Sequence, residues 1–128
     1  MNAIPTRWRA TFEDQLADAE RRLDAAAAAL ARGEGQRALQ AAYPAVVAAA
    51  TVRVWLEHPP WSAPLSAAEL QRRAKQAFPS LFAAMAALDM RDVLNSPWPA
   101  DAVTPYITEG RAFAQQVRQE LERWLAQA

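Results

Sequence analysis

The sequence predicts an all-α protein, an antiparallel up-and-down four-helix bundle with a kinked third helix. Three observations carry this. About a quarter of the 128 residues are alanine, the strongest helix former, and β-branched residues are few. Only three glycines are present. Every long segment spaces its apolar residues by threes and fours, and none shows the alternation of a half-buried strand.

The first helix is expected from about Pro5 to Arg32. Trp8, Phe12, Leu16, Ala19, Leu23, Ala26 and Leu30 form one stripe along it. Charged residues from Glu13 to Arg22 fill the other face. Gly33 and Gly35 end it, because glycine accepts the left-handed conformation that closes a helix. The second helix is expected from about Gln36 to Glu57, on a stripe of Leu39, Tyr43, Val46, Val47, Ala50 and Val54. Pro44 lies inside it and predicts a kink or a broken first turn, since proline removes one backbone hydrogen bond and crowds the preceding turn. His58-Pro59-Pro60 fixes the far end, because a residue before proline avoids the helical region.

Residues Pro59 to Leu65 read as a loop. Ser66 and Glu69 then form a capping box, each side chain satisfying a free N–H of the first turn. The third helix follows, with Leu70, Ala74, Ala77, Leu81, Met85 and Leu88 in register. Pro79-Ser80 kinks it or splits it in two. The stretch from Asn95 to Val103 is the longest irregular one. Thr104-Pro105 starts the fourth helix, a capping hydroxyl followed by proline at the first helical position. That helix is expected to reach almost to Ala128, with Tyr106, Phe113, Val117, Leu121 and Trp124 on one side. Short connections make such a bundle antiparallel. With no repeat and no linker, one domain spans residues 1–128.

Fourteen basic and fourteen acidic residues cancel, and the isoelectric point lies near 6.6. This balance argues against a nucleic-acid coat or a basic membrane binder and leaves a local site open. The chain has no cysteine, which excludes disulfides, thiolate metal sites and cysteine nucleophiles. Three glycines do not build a phosphate-cradling loop. A carboxylate-bridged di-metal bundle needs Glu-x-x-His pairs on two helices, and the only histidine directly follows Glu57. No cofactor and no metal are expected. The apolar run from Ala41 to Val52 is shorter than the roughly 20 residues that cross a bilayer. The amino-terminal residues carry charges of both signs, unlike a secretory signal. The expected location is therefore the cytoplasm, without a membrane partner. Alanine-rich stripes bury little area per contact, so a homodimer formed through a leftover apolar strip is expected.

One pattern carries chemistry, Arg53-Val-Trp-Leu-Glu-His58. Histidine can move a proton near neutral pH, activating a ribose 2′-hydroxyl or protonating a leaving group. Arginine can hold a phosphate through two hydrogen bonds and offset charge in the transition state. A five-residue step turns about 140° around a helix, so the two side chains do not share one face. The structural alternative is that His58 ends the second helix and Arg53 lies on a solvated face. Two of the five tryptophans, Trp61 and Trp98, fall in proline-rich loops. They either cap the bundle ends or form a shared aromatic wall for a partner or flat ligand.

The Arg53–His58 spacing is that of ribonucleases of the HEPN family (higher eukaryotes and prokaryotes nucleotide-binding domain), and the wider chain resembles that family over about residues 10 to 126. The aromatic–alanine opening of the second helix around Tyr43 is similar to the family pattern. So are the Ser/Pro-rich loop before Leu70 with the bent helix through Phe78 and Phe82, the Arg91-Asp92 pair, and the last helix from Gly110 to Val117. The resemblance implies a four- to five-helix up-and-down bundle. In catalytic members the arginine–histidine motif usually lies near the start of the final helical segment, with a polar residue after the arginine. Arg91-Asp92 has the polar follower but no histidine four to six residues on. Arg53 has the histidine, but it sits on the second helix with Val54 in the polar position. The resemblance therefore implies a non-catalytic interaction or nucleotide-binding module, such as the partner of a small nucleotidyltransferase in a toxin–antitoxin-like pair. Asp92, from the Arg91-Asp92 pair, joins the loop tryptophans Trp61 and Trp98 as a candidate ligand or partner contact. Two alternatives stay open. One is a metal-independent endoribonuclease that uses Arg53, His58 and Arg91 on RNA across a dimer interface. The other is a bundle that binds a small apolar ligand.

Overall fold

Three long helices carry the core, and three short ones fill the return between the second and third of them. The computed structural model describes residues 3–127. Met1, Asn2 and Ala128 lie outside the described residues. The described chain is all-helical: α1 (Thr6–Ala31), α2 (Gly35–Glu57), α3 (Ala67–Gln76), α4 (Ser80–Ala86), α5 (Met90–Asn95) and α6 (Ala100–Leu125).

The stripe expected on the first helix is the face that α1 buries, from Phe12 through Leu16, Ala19 and Leu23 to Ala26. It packs along α2, which is buried at Ala38, Leu39, Ala42, Val46 and Ala49. Alanine at these positions lets the two axes approach closely. Gly33, at φ 78°, makes the left-handed turn between them. Gly35 does something else: it opens α2, and a Cβ there would lie 2.2 Å from the Trp98 carbonyl oxygen. α2 is long and apolar enough to span a bilayer, yet 56% of its apolar window is buried against the other helices. Of the kink or broken first turn expected at Pro44, the break does not occur: α2 stays helical through that residue.

The direction of α6 follows from contacts at its two ends. Arg9, in the first turn of α1, donates to the carbonyls of Leu125 and Gln127 at 3.1 and 3.2 Å. Gly35, at the start of α2, lies against the residues that lead into α6. α6 is thus antiparallel to α1 and parallel to α2. Arg118 on α6 fixes the antiparallel pair. It donates to Glu20 on α1 at 2.5 and 3.2 Å and also pairs with Glu13.

The expected kinked third helix is broken into separate pieces. α3 ends at Gln76 and α4 begins after Pro79, so Pro79 splits the helix. The α4 amino terminus is capped from another helix: Glu109 of α6 accepts from the Leu81 N–H at 2.8 Å and the Ser80 hydroxyl at 3.1 Å. The expected register runs out at Leu88, which is 61% exposed. α5 then forms under an Asp89 cap that accepts from the Arg91 N–H at 3.0 Å. Gln36 and Gln40 of α2 hold it by donating to the Leu94 carbonyl. The last helix begins one turn before Thr104, at Ala100 behind Pro99. The Thr104 hydroxyl donates back to the Ala100 carbonyl at 3.1 Å and is not a cap.

Candidate functional site

Arg53 and His58 leave α2 toward different neighbours. Arg53 is flanked by the buried Val52 and Val54 and reaches α6. Its guanidinium donates to both oxygens of Glu120, at 2.7 and 3.3 Å. It also lies 4.9 Å over the Phe113 ring, a cation–π contact. The Arg53 and Glu120 side chains are only 21% and 32% exposed, so Arg53 sits at a helix–helix seam and not on a solvated face.

His58 is the carboxy-terminal cap residue of α2 and turns toward α3. There its Nε2 meets Nη1 of Arg73. Guanidinium only donates, so Nε2 is the accepting side of this contact. Arg73 in turn donates to Glu69 at 2.9 Å, and Glu69 also accepts from Arg72. Those two arginines hold the Glu69 carboxyl far down, at about 2, with the Arg72 hydrogen bond the larger cause. The cleft beside His58, between Trp55, Pro60, Leu65 and Leu70, encloses about 60 Å³. Small-molecule sites start near 300 Å³, so this cleft is too small for a nucleotide.

Arg91 and Asp92 are exposed on α5, which packs near the start of α2. Arg53 and His58 lie near its end. The structure therefore does not gather Arg91 with the other two within one chain.

The loop tryptophans are also apart. Trp61 stacks on the α1 end of the bundle, 6.2 Å from Trp8 and 5.9 Å from Phe12 between ring centroids. Phe12 continues the cluster to Trp55 at 5.1 Å. Trp98 closes the opposite end. It is edge-on to Tyr106 at 5.8 Å, and its Nε1–H donates to the Val93 carbonyl at 2.8 Å. At 1.5 Å per residue, the length of α2 separates them by roughly 30 Å. Each covers one bundle end, and they form no common wall.

A larger concavity lies between α2 and α3. Tyr43 and Val47 of α2, with Leu70, Ala74, Lys75 and Phe78 beside them, line a groove of about 390 Å³. Sequence reading did not find it. Its α2 side, Tyr43, Val47 and Thr51, recurs every four residues and looks like ordinary core. The partners of Arg53 and His58 were missed as well. A base among buried valines asks for an acid, but Glu120 is 67 residues away in sequence.

Among the described residues, no group of three or more histidines and carboxylates could hold a metal. No family model, no curated protein and no solved structure matches the chain.

Proposed function

We propose that this chain is a non-catalytic HEPN-like module that works by binding, with a nucleotide or a small nucleotidyltransferase as the partner class that resemblance implies. In this reading α3, α4 and α5 together stand for the family's bent third helix and complete an up-and-down bundle around α1, α2 and α6. One observation carries the non-catalytic part. The phosphate-holding role of Arg53 needs a free guanidinium fork, and that fork is filled by Glu120 at 2.7 Å. His58 supports the same reading, because Arg73 covers its Nε2. Self-association belongs to the proposal as well. Leu88 is the one exposed large apolar side chain among the described residues, and two-fold dimers are the commonest assemblies.

The test is a metal-free RNA cleavage assay on the wild-type chain, Arg53→Ala and His58→Ala. No cleavage is expected from any of them. Loss of His58 should shift stability by less than about 1 kcal/mol, as surface substitutions usually do. A wild-type chain that cuts RNA, with both variants dead, would establish the ribonuclease instead. A second reading, a site for a small apolar ligand, is favoured by the groove between α2 and α3.

A further inference from the structure

The α2–α3 groove combines an apolar floor with a rim of hydrogen-bond donors that the fold does not use. Val47, Leu70 and Ala74 form the floor, and Phe78 closes one end edge-on to Tyr43, with centroids 5.9 Å apart. The rim carries the Tyr43 hydroxyl, the Gln71 amide and the Lys75 ammonium. None of the three has a hydrogen-bond or ion-pair partner among the described residues. Burial raises the Tyr43 pKa, so its hydroxyl keeps a proton to donate.

The charges around the groove have one sign. Lys75 is the only charged residue lining it, and no carboxylate lines it. The nearest acid on α3, Glu69, is held by Arg72 and Arg73. Lys75 is also the only lysine in the chain, which otherwise uses arginine. Arginine suits a fixed planar fork, whereas lysine presents a mobile point charge on an apolar stem. The groove volume of about 390 Å³ falls in the range of small-molecule sites and is too small for a folded partner.

We infer that this groove binds a small amphiphilic carboxylate, its apolar tail or ring on Val47, Ala74 and Phe78 and its carboxylate at Lys75. The inference rests on the second reading above, a small-ligand site in this groove, and names the chemical class of that ligand. The ammonium and the two neutral donors would meet the carboxylate oxygens, and the buried tail would supply the hydrophobic contribution.

The experiment titrates the wild-type chain with decanoate, decanol and decyltrimethylammonium, each below its aggregation range, by calorimetry and amide NMR. Decanoate should bind saturably at one site per chain, with the shifted amides gathered around residues 43–51 and 70–78. Lys75→Glu is exposed and leaves the floor intact. It should weaken decanoate by about tenfold or more, the scale of one charge-assisted hydrogen bond, and should make decyltrimethylammonium the better ligand. Lys75→Gln should fall between. The inference fails if decanoate does not saturate, if decanol binds as well as decanoate, if Lys75→Glu leaves decanoate unchanged, or if the shifts lie elsewhere. Any of these results beside intact RNA would overturn the carboxylate inference alone. RNA cleavage that Arg53→Ala and His58→Ala abolish would overturn the binding reading, whatever decanoate does.

Discussion

Arg53 of α2 and Glu120 of α6 form a two-pronged ion pair, with guanidinium–carboxylate distances of 2.7 and 3.3 Å across two parallel helices. The pair sits within a bundle seam, and the same guanidinium covers the Phe113 ring. Its position explains why a basic residue is tolerated between the buried Val52 and Val54. The carboxylate balances the charge, and the aromatic face takes up the flat apolar side of the group.

Removing either partner should therefore destabilise the fold. Arg53→Ala and Glu120→Ala are each expected to cost about 1–3 kcal/mol, below the cost for a fully buried pair because both side chains still touch water. The double variant should cost less than the sum, since neither charge is then left alone. Chemical denaturation of the four proteins closes this cycle. Strict additivity would mean that the pair contributes nothing as a pair.

Gly33, in the turn after α1, and Gly35, the first residue of α2, should respond differently to alanine. At Gly35 a Cβ would meet the Trp98 carbonyl oxygen at 2.2 Å and the Pro99 carbonyl carbon at 3.0 Å, both backbone atoms with little room to move. Gly35→Ala should cost about 1–3 kcal/mol or more, the scale of overpacking, and loosen the loop into α6. Gly33 has open space around it but a φ of 78°. Gly33→Ala should cost about 1–2 kcal/mol from the left-handed backbone alone, and Gly33→Asn less. Equal losses at Gly35 and Gly33 for alanine, with none relieved by asparagine, would contradict this division.

Local patterns proved legible where the chain decides its structure locally. α1 runs within a residue of its expected ends, because a 26-residue stripe closed by glycine leaves little choice. Ser66 caps α3 as the expected capping box has it, accepting from the Glu69 N–H at 3.1 Å, but the reciprocal half does not form, because the Glu69 carboxylate is taken by Arg72 and Arg73. The region from Leu88 to Thr104 was misread because distant contacts decide it. α5 has six residues, too few to form alone, and glutamines of α2 hold it in place. At the candidate site, the residue types at positions 53 and 58 were visible, but their neighbours were not. Glu120 and Arg73 come from other helices, and no spacing within one segment encodes them.

Arg9 should behave as the clasp between the chain's two ends. Its guanidinium donates to the carbonyls of Ile4, Leu125 and Gln127, at 3.1 to 3.2 Å. Leu125 ends α6 and Gln127 directly follows its cap residue, where carbonyls lack helical partners and a cation is favoured. Arg9→Ala should speed amide exchange in the last turn of α6, leave its middle unchanged and cost about 1–2 kcal/mol. Lysine at this position should recover little, because one ammonium on a longer stem does not reproduce the three-way fork. Full recovery by Arg9→Lys would show that charge alone suffices.

Glu69 should set part of the response to acid. Its carboxyl titrates at about 2 in the folded chain, against an ordinary value of 4.5, chiefly through the Arg72 hydrogen bond and then that of Arg73. A carboxyl lowered on folding stabilises the protein in full above its ordinary value. That contribution declines as the pH falls from about 4.5 and is gone below about 2. Asp18, held by Arg22, and Glu34, held by Arg32, are lowered in the same direction. Stability should therefore fall as the solution is acidified through this window. Side-chain carboxyl NMR should show all three protonating below their ordinary values, Glu69 at about 2. Arg72→Ala should raise the Glu69 titration more than Arg73→Ala does, because the Arg72 bond is the larger cause. Arg73→Ala has an additional effect that Arg72→Ala lacks: it frees Nε2 of His58, so the His58 ring resonances should move only in that variant. A Glu69 carboxyl that titrates near 4.5 in the wild-type chain would show that the arginines do not hold it in solution. Ring resonances that move equally in both variants would show that Arg73 does not cover His58.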